Sequence, residues 1–117
     1  VVVKRVFVVQ NQHRWNKELG RFEPKYDLSP AAAHGEIIDL LSPTAAPFNS
    51  RPIIEELRRK LEDFGPGDCL LLIGNPVLIG VAVAIAACSN GGDVDVLQWS
   101  GKEGRYLRVA LSGLITF

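Results

Sequence analysis

The stretch DCLLLIGNPVLIGVAVAIAACSNGGDVDVLQW, residues 68–99, decides the fold of this 117-residue chain. Asp68 to Ile73 is a short apolar run between turn signals, the pattern of a buried strand. Gly74-Asn75-Pro76 then supplies what a strand-to-helix turn needs: backbone freedom, a capping side chain and a proline that starts a helix. Residues 76–89 carry no charged side chain. A helix apolar all round has to be covered on both sides, by the rest of the domain or by another subunit. Its Gly80, Ala82, Ala84, Ala86 and Ala87 allow close approach, although Gly80 costs about 1 kcal/mol of helix propensity. Gly91-Gly92 releases the chain into a strand at Asp93–Trp99.

Upstream, Asn49 or Ser50 caps a second helix, about 50–64, with Ile53, Ile54, Leu57, Leu61 and Phe64 on one face. Its other face places Glu55–Arg59, Glu56–Lys60 and Arg59–Asp63 at i,i+4. Glu36–Leu41 reads as a strand, so 36–99 runs strand–helix–strand–helix–strand, the order of parallel crossovers. Ser29-Pro30-Ala31-Ala32-Ala33 starts a helix that Gly35 stops after about one turn. Residues 1–10 form an interior strand, and 21–28 a weaker edge partner joined to it by a long hairpin through Asn16 and Gly20. A last strand spans about 105–111. The expected fold is α/β: a single domain over 1–117, a mixed sheet with a βαβαβ core (about 36–99), flanking antiparallel strands in the same sheet, and two main helices (about 50–64 and 76–89).

Hydrophobic residues make up 47% and charged residues 22%, which suits a globular domain able to fold without disulfides or metal. The net charge is zero but uneven: +4 over residues 1–26, −6 over 27–97 and +2 over 98–117. Two basic ends flank an acidic middle, and they form one basic face if the fold brings them together. Cys69 and Cys88 alone suggest a reducing cytoplasm and buried free thiols, with a bridge left open because Cys69 opens a strand and Cys88 closes the helix that follows it, which can bring both to one end of the domain. Neither half of the uncharged run 69–90 reaches the ~20 apolar residues of a spanning helix, and no leader pattern precedes it.

Candidate chemistry is sparse. His13 and His34 lack ligand neighbours, so no metal and no cofactor is expected. No serine lies in a G-x-S-x-G elbow, and no glycine-rich phosphate motif is present. Asp93 and Asp95 share a strand face as a carboxylate pair, a spacing that is usually solvated. Where parallel strands end, ligands collect at helix amino termini. Asn49, Ser50, Arg51, Asn75 and Gln98 should share that edge and could hold a small anion; a plain turn needs the same Gly-Asn-Pro. The basic ends interleave with aromatics. Arg14, Trp15, Lys17 and Arg21 in one segment, and Trp99, Lys102 and Arg105 in the other, with Lys25, Tyr26, Tyr106 and Arg108 beside them, are the mixture that binds single strands. The alternative is tryptophans at hairpin ends and cations that keep edge strands soluble.

Arg14-Trp15-Asn16, Tyr26-Asp27-Leu28, Pro47-Phe48-Asn49, Gly74-Asn75-Pro76-Val77-Leu78-Ile79 and Leu97-Gln98-Trp99 together resemble landmarks of small uncharacterised bacterial proteins encoded in prophages and other mobile elements. In that pattern an acidic residue is commoner at Asn75 and a basic one at Gln98. The resemblance implies a mobile-element accessory protein and carries no activity with it. The leading expectation is a non-enzymatic accessory protein that self-associates, as a homodimer, or binds a macromolecular partner. Single-stranded nucleic-acid binding through the terminal hairpins, and a small anionic ligand at the carboxyl edge, are the alternatives.

Overall fold

The computed structural model describes residues 4–117; Val1–Val3, the start of the expected first strand, lie outside the described residues. The elements are β1 Arg5–Gln10, β2 His13–Asn16, β3 Arg21–Pro24, a 3₁₀ turn Ser29–His34, β4 Glu36–Leu41, α1 Ser50–Lys60, β5 Cys69–Leu71, α2 Pro76–Ser89, β6 Val94–Ser100 and β7 Arg105–Leu111. The main sheet runs β4-β1-β5-β6-β7. β1 pairs in parallel with β4 and β5, β5 with β6, and only β6–β7 is antiparallel.

This order follows from burial. Val6 to Val9 are all buried, with no alternation, so β1 has to be central and covered on both faces. The chain leaves β1 for β4 on one side, then returns across β1 to β5 and β6 on the other. Crossovers of one hand in opposite directions lie on opposite faces. Accordingly α1 and α2 cover one face, packing Ile53, Leu57, Leu61, Phe64, Leu78, Ala82 and Ala86 against Phe7, Val9, Leu70 and Val96. The short β1–β4 connection leaves the other face only the 3₁₀ turn, whose Ala31 sits over Val6, Val8, Cys69 and Leu71. Each large aliphatic side chain buried this way contributes about 1.5–3 kcal/mol.

Several expectations are corrected. Residues 21–28 do not pair with β1. Instead β2 and β3 pair with each other as a separate two-stranded hairpin, because both edges of β1 are taken by β4 and β5. The flanking antiparallel addition to the main sheet is therefore β7 alone. The first helix ends at Lys60 rather than 64: Arg5 donates to the Asp63 carbonyl and carboxylate, both at 3.1 Å, and holds that segment out of helical geometry. Of the three expected i,i+4 pairs only Glu56–Lys60 forms, at 2.8 Å. Asp93 and Asp95 do not act as a pair: Asp93 accepts the Gly113 N–H, and Asp95 accepts from Arg108 at 2.7 Å. Both cysteines are free; Cys69 is buried, but Cys88 is exposed. No helix among the described residues is long and apolar enough to cross a membrane.

Candidate functional site

The sheet order reverses between β1 and β5, and in open parallel sheets the crevice beyond that point is where ligands collect. Here Gln10, the last residue of β1, fills it. Its side chain is 3% exposed. Oε1 accepts the Asn75 N–H at 3.0 Å, while Nε2 donates to the Ala45 and Ser42 carbonyls at 2.8 and 3.2 Å. Gly74 permits the contact: its φ is +137°, and a β-carbon there would stand 2.7 Å from Gln10 Cβ.

The five residues expected around an anion sit in three connections at the carboxyl edge of the sheet. Asn49, Ser50 and Arg51 lie at the start of α1, beyond the loop that Gln10 braces. Asn75 caps its own helix, its Oδ1 accepting the Val77 N–H at 2.9 Å. Gln98 alone lines the principal cavity at this edge.

That cavity opens because β5 is shorter than the sequence pattern suggests. Its ladder with β6 reaches only Leu71↔Leu97. Beyond it the Ile73 N–H turns back onto the Leu71 carbonyl, and the Ile73 carbonyl accepts from Gln10 N–H, both at 2.9 Å. β5 therefore bends toward β1 and leaves β6, and a cleft of about 810 Å³ lies in the fork. Leu71, Leu72, Ile73, Val96 and Leu97 form its walls, and Tyr26, Trp99 and Tyr106 its aromatic lining. Trp99 and Tyr106 pack edge to face, centroids 5.0 Å apart. Tyr106 is buried and Trp99 half exposed, so one ring is a floor and the other a rim. Burial raises the Tyr106 phenol above its ordinary range, and the charge of Asp27 adds to the shift.

Asp27 is the one carboxylate or cation lining the cleft among the described residues. Its Oδ1 accepts both the Ser29 hydroxyl, at 2.7 Å, and the Ser29 N–H, at 2.9 Å. Those bonds, hydroxyl first, hold its carboxyl below the usual range and keep it ionised. A neighbouring hollow shares Tyr26 and Asp27 and contains Asn11, whose buried Oδ1 has no hydrogen-bond partner among the described residues.

The carboxyl ends of the parallel strands β1 and β6 lie at the same edge of the sheet, and each leads into one of the two basic segments. The β2–β3 hairpin springs from the carboxyl end of β1, closed at its base by Lys25 N–H to the Gln12 carbonyl at 2.7 Å. It carries Arg14, Trp15, Lys17 and Arg21, and Trp15 stacks edge to face on Phe22 at 5.1 Å, both rings more than half exposed. The β6–β7 turn carries Lys102 and Arg105 from the other side; Arg105 pairs with Glu103 at 3.2 Å. Lys25 stands over the Tyr26 ring, 5.4 Å from its centroid. Arg108, by contrast, belongs to the opposite edge, bonded to Asp95 and the Gly67 carbonyl.

Asp27 and Phe22 were not legible as site residues. The signal for Asp27 was the Asp-x-Ser-Pro pattern, in which a carboxylate caps the turn that the proline starts. His34 serves the frame, its Nε2 donating to the Tyr106 carbonyl at 3.0 Å.

No curated protein and no solved structure matches the chain. A family model does, over residues 4–112, a span that takes in every strand, both helices and the whole cleft. The chain belongs to the phage Pam3 gp32-like protein family and is a phage-encoded protein.

Proposed function

We propose that this phage protein is a non-enzymatic accessory protein, of the kind carried by prophages and other mobile elements, whose carboxyl edge binds single-stranded nucleic acid in the host cytoplasm. One observation supports the reading: Tyr26, which follows the basic hairpin, and Trp99, which precedes the basic β6–β7 turn, line the same cleft, with Lys25 over the Tyr26 ring and Lys102 and Arg105 in the chain that continues from Trp99. Bases stack on exposed rings while cations follow the phosphates, and each stacked base contributes about 1–3 kcal/mol. The small anionic ligand has less support, since Gln10 fills the switch point and Asn75 caps its own helix. Fluorescence anisotropy with labelled single-stranded and duplex oligonucleotides, at low and near-physiological salt, tests the proposal. Salt-sensitive binding that prefers single strands and quenches tryptophan is the expected result. No binding at low salt overturns it.

A second reading, self-association, is favoured by a different surface. On α2, Val77, Gly80, Ala84 and Cys88 are exposed on a helix with no charge anywhere. Sedimentation velocity across a concentration series tests it: a dimer lost in Ala84→Arg supports the reading, and a monomer throughout ends it.

A further inference from the structure

We infer that the cleft in the β5–β6 fork is a pocket for one nucleobase bearing an exocyclic amino group, with the Asp27 carboxylate as the acceptor that selects it. The inference rests on the nucleic-acid reading and adds base selectivity to it. Its basis is the arrangement of charge. Lys25, Lys102 and Arg105, in the segments that lead into and out of the cleft, suit phosphates, yet the single charged group lining it among the described residues is acidic. A carboxylate in an aromatic slot would repel a phosphate but complements an amino group on a flat ring. Asp27 Oδ1 is saturated by Ser29, whereas no donor among the described residues bonds Oδ2. Asn11 lies in the adjoining hollow and does not line the cleft, so Asp27 Oδ2 alone faces a ligand as acceptor. An exposed carboxylate oxygen beside three aromatic rings complements a donor on an aromatic ligand.

Cytosine meets this description and thymine does not. Cytosine offers its amino group to acceptors. The N3–H of thymine lies between two carbonyl oxygens, which an ionised carboxylate repels. Because both are pyrimidines that stack on the same rings, comparing them isolates the hydrogen bond. Deoxycytidine and deoxythymidine homopolymers of equal length are titrated by anisotropy into the wild-type chain and into Asp27→Asn, whose fold is checked by circular dichroism. The expected preference for deoxycytidine is about three- to tenfold, the range of one net hydrogen bond, and it collapses in Asp27→Asn while deoxythymidine binding persists. Equal binding of the two homopolymers by the wild type, or an unchanged ratio in Asp27→Asn, overturns the inference and leaves nucleic-acid binding standing. Absence of binding by either homopolymer removes both.

Discussion

Gln10 and Asn75 are joined across the centre of the sheet: the side-chain carbonyl of one accepts the backbone N–H of the other at 3.0 Å. The same amide donates to the Ala45 and Ser42 carbonyls, so one side chain ties together the ends of β1, β4 and β5. An apolar replacement would strand these backbone groups out of water. Gln10→Leu is expected to lower unfolding stability by about 3 kcal/mol, at roughly 1–3 kcal/mol per unsatisfied group with partial relaxation. Urea unfolding measures it, and a loss under about 1 kcal/mol would show that water replaces the amide.

Asp68 plays the corresponding part at the opposite edge. Its carboxylate, 4% exposed, accepts from Arg5 Nη2 at 2.7 Å and from the Gly65 N–H at 3.0 Å. The interaction holds the Arg5 guanidinium even more firmly protonated than usual. Asp68→Ala removes the acceptor and leaves the donors. A loss of about 2–4 kcal/mol is expected, below the full cost of breaking a buried pair because Arg5 reaches solvent. Asp63→Ala, whose carboxylate is exposed, should cost under about 1 kcal/mol in the same assay.

The two thiols should behave oppositely. Burial in β5 pushes the Cys69 thiol up to about 11, with the nearby Arg108 opposing the shift only in part. A folded-state value raised above the unfolded one favours the protonated folded state, so the contribution is fully present below about pH 9 and is lost as pH climbs toward 11. The alkaline loss amounts to about 3 kcal/mol at most and should flatten in Cys69→Ala. In native protein an aromatic disulfide reagent should modify Cys88 quickly and Cys69 only after unfolding; rapid modification of both would place Cys69 nearer the surface.

Trp99 and Trp15 separate the two halves of the proposed nucleic-acid surface. Trp99→Ala removes the rim of the cleft and should weaken single-strand binding about tenfold, within the range for one stacked base. Trp15→Ala removes a ring that already packs on Phe22, and a smaller loss is expected. Replacing Lys102 should reduce the slope of log affinity against log salt by about 0.7, the value for one phosphate contact on a single strand. Equal affinities for wild type and Trp99→Ala would take the cleft out of the interface.

Much of this architecture could be read from the chain. α2 and β7 occupy the residues that the apolar run and its glycine and proline punctuation indicate. The position of β1 between two parallel strands could not be read, because pairing partners far apart in sequence leave no local mark. The cleft was hidden for a related reason. Leu72 and Ile73 are as apolar as Leu70 and Leu71, so the pattern extends the strand through them, and only the competing bond from Gln10 to the Ile73 carbonyl bends them away. Trp99, Lys102 and Arg105 were nameable from composition, but their proximity to Tyr26 and Asp27 depends on which edge receives the hairpin.

During synthesis β1 is the strand of this sheet that waits longest for its neighbours. Val6 pairs with Ile37 on one side and Cys69 on the other, so its second partner emerges well after its first. A nascent chain ending at Lys60 would present a greasy strand with one edge bare and the floor of its helix layer missing. Such long-range parallel pairing assembles slowly. A fragment that stops before β5 should therefore aggregate or be degraded rather than persist as a half-domain, whereas losing β7, an outer strand, removes no partner of β1.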